Sequence, residues 1–287
     1  TSARTISSAS RMFTDAASQS MDLQLAGKVA LVTGSSRGTG EAIAERLAAE
    51  GAEVLVHGIG ADDAARVAAA ICAAGGKAHA IAGDIATDAG ADQVAAQAAA
   101  AAGRIDILVN NYGTTSPGSW SEATAEDWVA IYQKNVISAA RMVRLLLAPM
   151  QAAGWGRILQ IGTIGSTRPN ARMPHYYASK GALANMTVSL AKELASSGIT
   201  VNTVSPGLIK TREVEATYRK RAAREGWGDD WSAIEARIAR EVMPNLVGRI
   251  ARTDEVADLV AFLASPRAGF ITGMNIRIDG GSVDYVT

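Results

Sequence analysis

Short aliphatic runs alternate with longer helical patterns along most of the chain. Positions 29–33, Val-Ala-Leu-Val-Thr, are almost continuously apolar, which predicts a strand covered on both faces. A glycine-rich turn follows, and 41–50 then places Ile43 and Leu47 at helical spacing before Gly51 stops the run. The same unit recurs. Strand 54–56 leads to helix 61–74, closed by Gly75 and Gly76; strand 78–82 leads to helix 89–102, closed by Gly103. Strand 105–109, a long helix at 127–150, strand 157–161, a helix at 175–197, strand 199–204, a helix at 255–264 and a last strand at 274–278 complete the pattern. Buried strands separated by helices of this length predict one α/β domain: a doubly wound parallel sheet in three α/β/α layers. The domain is expected over 23–287. Its rhythm breaks between 208 and 247, where both signs of charge accompany Tyr218, Trp227, Trp231 and Met243.

Composition narrows the function classes. The 287 residues carry 28 Lys and Arg against 28 Asp and Glu, so no basic excess argues for nucleic acid or anionic lipid. The single cysteine, Cys72, cannot make an internal disulfide. No run of about 18 apolar residues occurs, so no membrane-spanning helix is expected. Aromatics are 5% of the chain and alanine supplies 57 residues, which suits helices packed closely on a sheet. Residues 1–22 read as an N-terminal extension rich in Ser, Thr and Ala, without the apolar stretch of a secretory signal. A transit peptide is the alternative reading of that segment. No metal-ligand spacing is seen, and the expected location is cytoplasmic.

Residues 33–40 read TGSSRGTG between a strand and a helix. Glycines there let backbone approach a pyrophosphate at the positive end of a helix, the logic of dinucleotide binding. The spacing Gly34-x3-Gly38-x-Gly40 resembles that of the short-chain dehydrogenase/reductase family, and the resemblance runs from about 27 to 281. Four further motifs carry it in order: Asn110-Asn-Tyr-Gly113, Tyr176-Tyr-Ala-Ser-Lys180, Ser205-Pro-Gly-Leu-Ile-Lys-Thr211, and Ile271-Thr-Gly-Met-Asn-Ile-Arg-Ile-Asp-Gly-Gly281. The chain looks like a 3-oxoacyl-carrier-protein-reductase-type member. The resemblance implies a Rossmann fold, hydride transfer between a nicotinamide and a carbonyl or secondary alcohol, and a homotetramer or homodimer.

Tyr176 and Lys180 stand i, i+4 and share one helix face. A phenol has an ordinary pKa near 10. A neighbouring ammonium is expected to lower it, so Tyr176 is assigned as general acid in reduction and base in oxidation. By resemblance, Lys180 also binds the nicotinamide ribose, and Asn135 holds a proton-relay water. The family's substrate-orienting serine falls at Thr163, a departure that keeps a hydroxyl but adds a methyl and stiffens χ1. Ser166 is the fallback. Tyr177 has the wrong spacing to Lys180 and is read as packing.

The resemblance places the cofactor along Gly34, Ser36, Arg37, Gly38, Thr39, Gly40, His57, Gly58, Asp84, Ile85, Asn111, Gly113, Tyr176, Lys180, Pro206, Gly207, Ile209 and Thr211. NADP(H) is preferred over NAD(H). Gly58 stands where an acid would bind a ribose 2′-hydroxyl, and Arg37 can meet a 2′-phosphate. Ile59, however, lacks the arginine often found next. Asp84 resembles the aspartate that touches the adenine amino group. Tyr112 replaces the family's alanine, and its ring could narrow the pocket, tilt the adenosine side or point away. The resemblance implies a substrate lid at about 208–247, in which Trp227, Trp231 and Met243, with Thr163, are candidates for the substrate wall. Arg168, Arg172 and His175 could face an acidic substrate. A different class stays open: a catalytically weak nucleotide-binding regulatory protein on the same fold.

Overall fold

A computed structural model describes residues 21–283. The N-terminal segment 1–20 and residues 284–287 therefore lie outside the described residues. Seven parallel strands run β1 (Val29–Val32), β2 (Glu53–Gly58), β3 (Lys77–Ala82), β4 (Ile107–Asn110), β5 (Gly156–Ile161), β6 (Ile199–Pro206) and β7 (Asn275–Ile278). Their order in the sheet is β3-β2-β1-β4-β5-β6-β7. The order reverses between β1 and β4, where Ala30 pairs with Ile107. Ligands of such sheets bind beyond the strand C-termini at this reversal.

The helices are α1 (Gly38–Ala49), α2 (Ala61–Ala73), α3 (Asp88–Ala102), α4 (Ala125–Tyr132), α5 (Ser138–Ala153), α6 (Pro174–Glu193), α7 (Arg212–Glu225), α8 (Trp231–Arg237) and α9 (Thr253–Ala264). The central strands β1, β4, β5 and β6 are buried at every position, as their unbroken aliphatic runs predict. Two cores form. One includes Ile43, Leu47, Val67, Val256 and Val260; the other includes Val94, Ala98, Met142 and Leu146. Ala44, Ala91, Ala98 and Ala261 are fully enclosed, so alanine does bring the helices close to the sheet.

One expectation is corrected. The single helix expected at 127–150 is two α-helices joined by a π-helical segment, Gln133–Ile137, which no proline or glycine in the sequence announces. Together, Ala125–Ala153 are 29 residues long and by length and composition apolar enough to span a membrane. Ile131, Met142, Val143, Leu146 and Met150 are instead buried in the protein. The charged stretch at 208–247, where the strand–helix rhythm breaks, is helical: α7, α8 and a π-turn, Ile238–Val242, surround a small core of Ala222, Ile234, Ile238 and Ile250.

Candidate active site

The glycine loop is fixed by side chains beneath it. Thr33 Oγ1 donates to the Val109 carbonyl and accepts from the amides of Asn111 and Tyr112, each at 3.0 Å. Asn111 Nδ2 donates to the carbonyls of Thr33 and Gly34 at 3.0 and 2.9 Å. Asn111 thus clamps the loop to β4. Space is the reason for glycine at position 40: a Cβ there would lie 2.4 Å from both Asn111 Nδ2 and the Gly34 carbonyl oxygen. Gly34 has φ +63°, and a Cβ on it would lie 2.9 Å from Tyr112 Cα.

His57 corrects the sequence reading. It is completely buried. Its Nδ1 accepts from the Gly34 amide at 2.9 Å, and Nε2 faces the Gly83 carbonyl at the same distance. That pattern assigns the proton to Nε2. Burial also lowers its pKa, favouring the neutral ring. His57 is a strut between glycine loop and sheet, with neither nitrogen left for a nucleotide. The Ile85 side chain is packed in the core, at 1% exposure.

Gly58 ends β2 against the loop, where a Cβ would lie 2.9 Å from the Gly60 carbonyl and 3.3 Å from Ser36 Cβ. An acid at this position has no room. A polar cleft of about 740 Å³ opens beside it, lined by Ser36, Arg37, Gly38, Arg66, Lys210 and Thr211, among others. Arg66 donates to the Ser36 carbonyl and to Glu41. The sequence reading missed it, because it sits inside α2 with no motif around it. Arg37 is exposed and lies 3.8 Å from Glu213. Thr211 caps α7, its Oγ1 accepting from the Val214 amide, and its methyl lies beside Gly38. Pro206 is buried at the end of β6, the Gly207 amide donates to Ile278, and Ile209 bridges to Ala251.

The four proposed catalytic side chains fall into two neighbouring pairs, Thr163 with Tyr176 and Lys180 with Asn135. Thr163 caps a 3-10 turn, its Oγ1 accepting from the Gly165 amide at 3.3 Å, and its side chain lies close enough to the Tyr176 phenol to lower its pKa. Lys180 Nζ and Asn135 Oδ1 flank Gly113, where a Cβ would lie 3.5 and 2.7 Å from them. Asn135, on the π-helical segment, accepts from the Thr114 amide at 2.7 Å and donates to the Thr114 carbonyl and Ser179 Oγ. Ser179 in turn donates to the Tyr176 carbonyl. It ties Asn135 to the tyrosine helix and was missed, although it stands inside the Tyr-x-x-x-Lys motif. π-bulges are common at functional sites because the extra residue re-aims neighbouring groups.

The expected lowering of the tyrosine pKa is overturned. Burial pushes the Tyr176 phenol up to about 12. Lys180 donates to the Ile161 carbonyl at 2.8 Å, and burial brings its ammonium down to about 8. Ser166 lies at 3.5 Å from Asn275 Nδ2 on the last strand. Tyr177 packs as expected, its ring against Gly165, where a Cβ would lie 2.0 Å away.

The substrate-side residues divide. Trp227 and Trp231 pack partly buried against the small core of 208–247. Met243 lines a separate cavity with Leu208, Ile238 and Ile250. His175 is completely buried, 2.6 Å from Ser116 Oγ, and cannot face a substrate. Arg168 donates to the Ser282 carbonyl, whereas Arg172 is exposed. No cluster of metal-ligating side chains occurs among the described residues.

The family described as enoyl-(acyl carrier protein) reductase matches residues 34–283. The 3-oxoacyl-[acyl-carrier-protein] reductase of Vibrio cholerae is 34% identical over 259 residues, 90% of this chain and 98% of that protein. The L-sorbose reductase of Gluconobacter frateurii, solved with NADPH and L-sorbose, superposes with a TM-score of 0.87 at 34% identity, covering 93% of this chain and 100% of that one. A 3-oxoacyl (acyl-carrier-protein) reductase of Agrobacterium tumefaciens with NADP bound gives 0.81 at 36% identity, covering 91% and 96%.

Proposed function

The chain belongs to the short-chain dehydrogenase/reductase family of NAD(P)-dependent oxidoreductases, and from that premise we propose that it is an NADP(H)-preferring reductase of a ketone. The observation that supports this reading is the Tyr176 phenol neighbouring Thr163, on the helix whose Lys180 borders Gly113 opposite Asn135. Two hydroxyls that meet at one point can both donate to a single carbonyl oxygen. The phenol, held near 12, stays protonated at neutral pH, which is the form that donates in reduction. Lys180 and Asn135 border Gly113, where only backbone fits, and this close approach suits a flat ring and ribose lying along the loop. When bound, the nicotinamide supplies the hydride.

The residues fit such a cofactor. The glycine loop is a cradle that a Cβ at 40 would fill, and it lies at the N-terminus of α1. Gly34, Ser36, Gly38, Thr39 and Gly40 would hold the pyrophosphate, Asp84 the adenine amino group, and Lys180 the nicotinamide ribose. Preference for the 2′-phosphate is supported by Arg37 beside the polar cleft and by the lack of room for an acid at 58. The curated and structural relatives are named for a 3-oxoacyl carrier thioester and for L-sorbose, so 3-oxoacyl thioesters and ketoses head the substrate classes. A homotetramer in the cytoplasm is part of the proposal. The fully exposed Phe270 and half-exposed Met274 beside β7 support association.

A panel of 3-oxoacyl thioesters, ketoses, simple ketones and steroids, followed by loss of reduced-nicotinamide absorbance, tests the reading. Turnover of any ketone supports it. Tight NADPH binding with no turnover across the panel favours the regulatory alternative, and tighter binding of NADH than NADPH overturns the cofactor preference.

A further inference from the structure

Tyr112 is the side chain whose direction the sequence left open, and the structure settles it. Its amide is bonded to Thr33 Oγ1, and Gly34 lies under its Cα, so the backbone is pinned. The ring packs against the core that contains Val94 and Met142 and meets the His57 ring edge-on, with centroids 6.2 Å apart. Its hydroxyl then reaches across the end of the sheet and donates to Asp84 Oδ1 at 3.4 Å. The same oxygen accepts from the Ala86 amide at 3.0 Å. Both protein donors therefore fall on one carboxylate oxygen, and Asp84 Oδ2 is left to accept from elsewhere.

We propose that Tyr112 is a positioning residue for base recognition: it pins Asp84 by Oδ1 so that Oδ2 is aimed to accept from the exocyclic amino group of an adenine and to repel a 6-oxo purine. The inference rests on the reading of Asp84 as the adenine contact. A carboxylate free to rotate presents either oxygen at several angles; one held through Oδ1 presents the other at one angle. An amino group donates to that oxygen. A 6-oxo group places a second acceptor against it, leaving an anion unpaired at the contact.

Equilibrium binding separates this role from a structural one. NADPH and its deamino analogue, which carries hypoxanthine, are titrated by calorimetry into the intact wild-type protein, Tyr112→Phe and Asp84→Asn. The wild type is expected to bind the deamino form roughly tenfold more weakly, the scale of one hydrogen bond to a charged group. Tyr112→Phe keeps the ring and removes only the oxygen, so folding is preserved, and the discrimination ratio should fall about threefold, the scale of one neutral hydrogen bond. Asp84→Asn should abolish the ratio, because the amide can also donate to the oxo group. An unchanged ratio in Tyr112→Phe overturns the positioning role. Equal binding of both cofactors by the wild type overturns it too, together with the adenine contact. Failure of the wild type to bind either form strikes the cofactor reading itself.

Discussion

The glycine loop and the 208–247 segment flank the C-terminal end of one sheet and are held by opposite means. Beneath the loop, Thr33, Ser35 and His57 are buried, and each spends its polar atoms on backbone. The 208–247 segment is laced by side-chain pairs at its surface: Arg219 with Glu215, Arg221 with Glu225, Arg237 with Glu241. Cations lie over its tryptophans, Arg221 and Arg237 on Trp227, Lys210 and Arg219 on Trp231. Buried bonds give one geometry, which suits a ligand of fixed shape. Exposed ion pairs contribute little each and tolerate exchange, which leaves a segment free to adjust. The catalytic cluster belongs to the first kind, since Asn135, Ser179 and Lys180 are all buried and bonded.

The largest expected effect comes from removing the proton donor in the rigid region. Tyr176→Phe should lower kcat about 10²- to 10⁴-fold, the range for a general acid, with NADPH affinity nearly unchanged. Steady-state kinetics beside calorimetric binding measure both. Wild-type turnover from this variant would remove Tyr176 from the chemistry.

Gly40→Ala asks whether the loop is as unyielding as its packing. The added methyl meets Asn111 Nδ2 and the Gly34 carbonyl at 2.4 Å. Overpacking of this kind costs about 1–3 kcal/mol. Cofactor affinity should fall with it, because the loop must move to admit the methyl. Asn111→Ala removes one of the two obstacles, so the double variant should lose less than the sum of the single losses. Additive losses in thermal melts would show that the clamp is not the source of rigidity.

These contacts also explain what could be read from the sequence. Strand runs, glycine stops and the Tyr-x-x-x-Lys spacing are local patterns, and β1 to β7 follow them. Asn111 was legible as part of a motif, but its work, bonding Thr33 and Gly34, depends on β4 lying next to β1. His57 reads as a residue near the cofactor until the end of β3 closes over it and the Gly83 carbonyl takes its Nε2. The π-helical segment around Asn135 leaves no mark, because Gln-Lys-Asn-Val-Ile suits an α-helix equally well. The packing of Trp227 and Trp231 on the small core follows from the fold of α7 on α8, which no local pattern announces. Local chemistry is legible, whereas an outcome set by a partner distant in sequence is not.

Lys180 extends the comparison to pH. Its folded pKa near 8 lies below the ordinary 10.5, so the folded state releases the proton first. Below pH 8 both states are protonated, and the cost of burying the charge is fully present, about 3 kcal/mol from the size of the shift. Between about 8 and 10.5 the unfolded chain still binds a proton that the folded chain has lost, so this contribution to stability rises with pH. Tyr176 acts in the opposite sense: with a folded pKa near 12, its contribution falls as pH climbs from 10 to 12. The stability of wild type minus that of Lys180→Met should therefore rise by up to about 3 kcal/mol between pH 8 and 10.5, measured by urea unfolding. A flat difference would mean that Lys180 is not held in a dry site.

The smallest effect is expected where the surface does the holding. Lys210 and Arg219 lie 4.8 and 5.3 Å from the centre of the Trp231 ring, and both are partly exposed. Such contacts are worth about 0.5–1 kcal/mol each. Replacing both by Gln should leave the melting temperature within a few degrees of wild type, because the segment contributes a small separate core. Hydrogen exchange should nevertheless speed up several-fold at amides of α7 and α8, the range set by that free energy. Amides of Gly34 and His57, held by buried partners, should not respond. Raising salt from 0.05 to about 1 M shortens the screening length to about 3 Å and should mimic the double replacement in α7 and α8 alone. If salt loosened the glycine loop equally, the two regions would share one source of rigidity, and the division between a fixed cofactor cradle and an adjustable cover would fail.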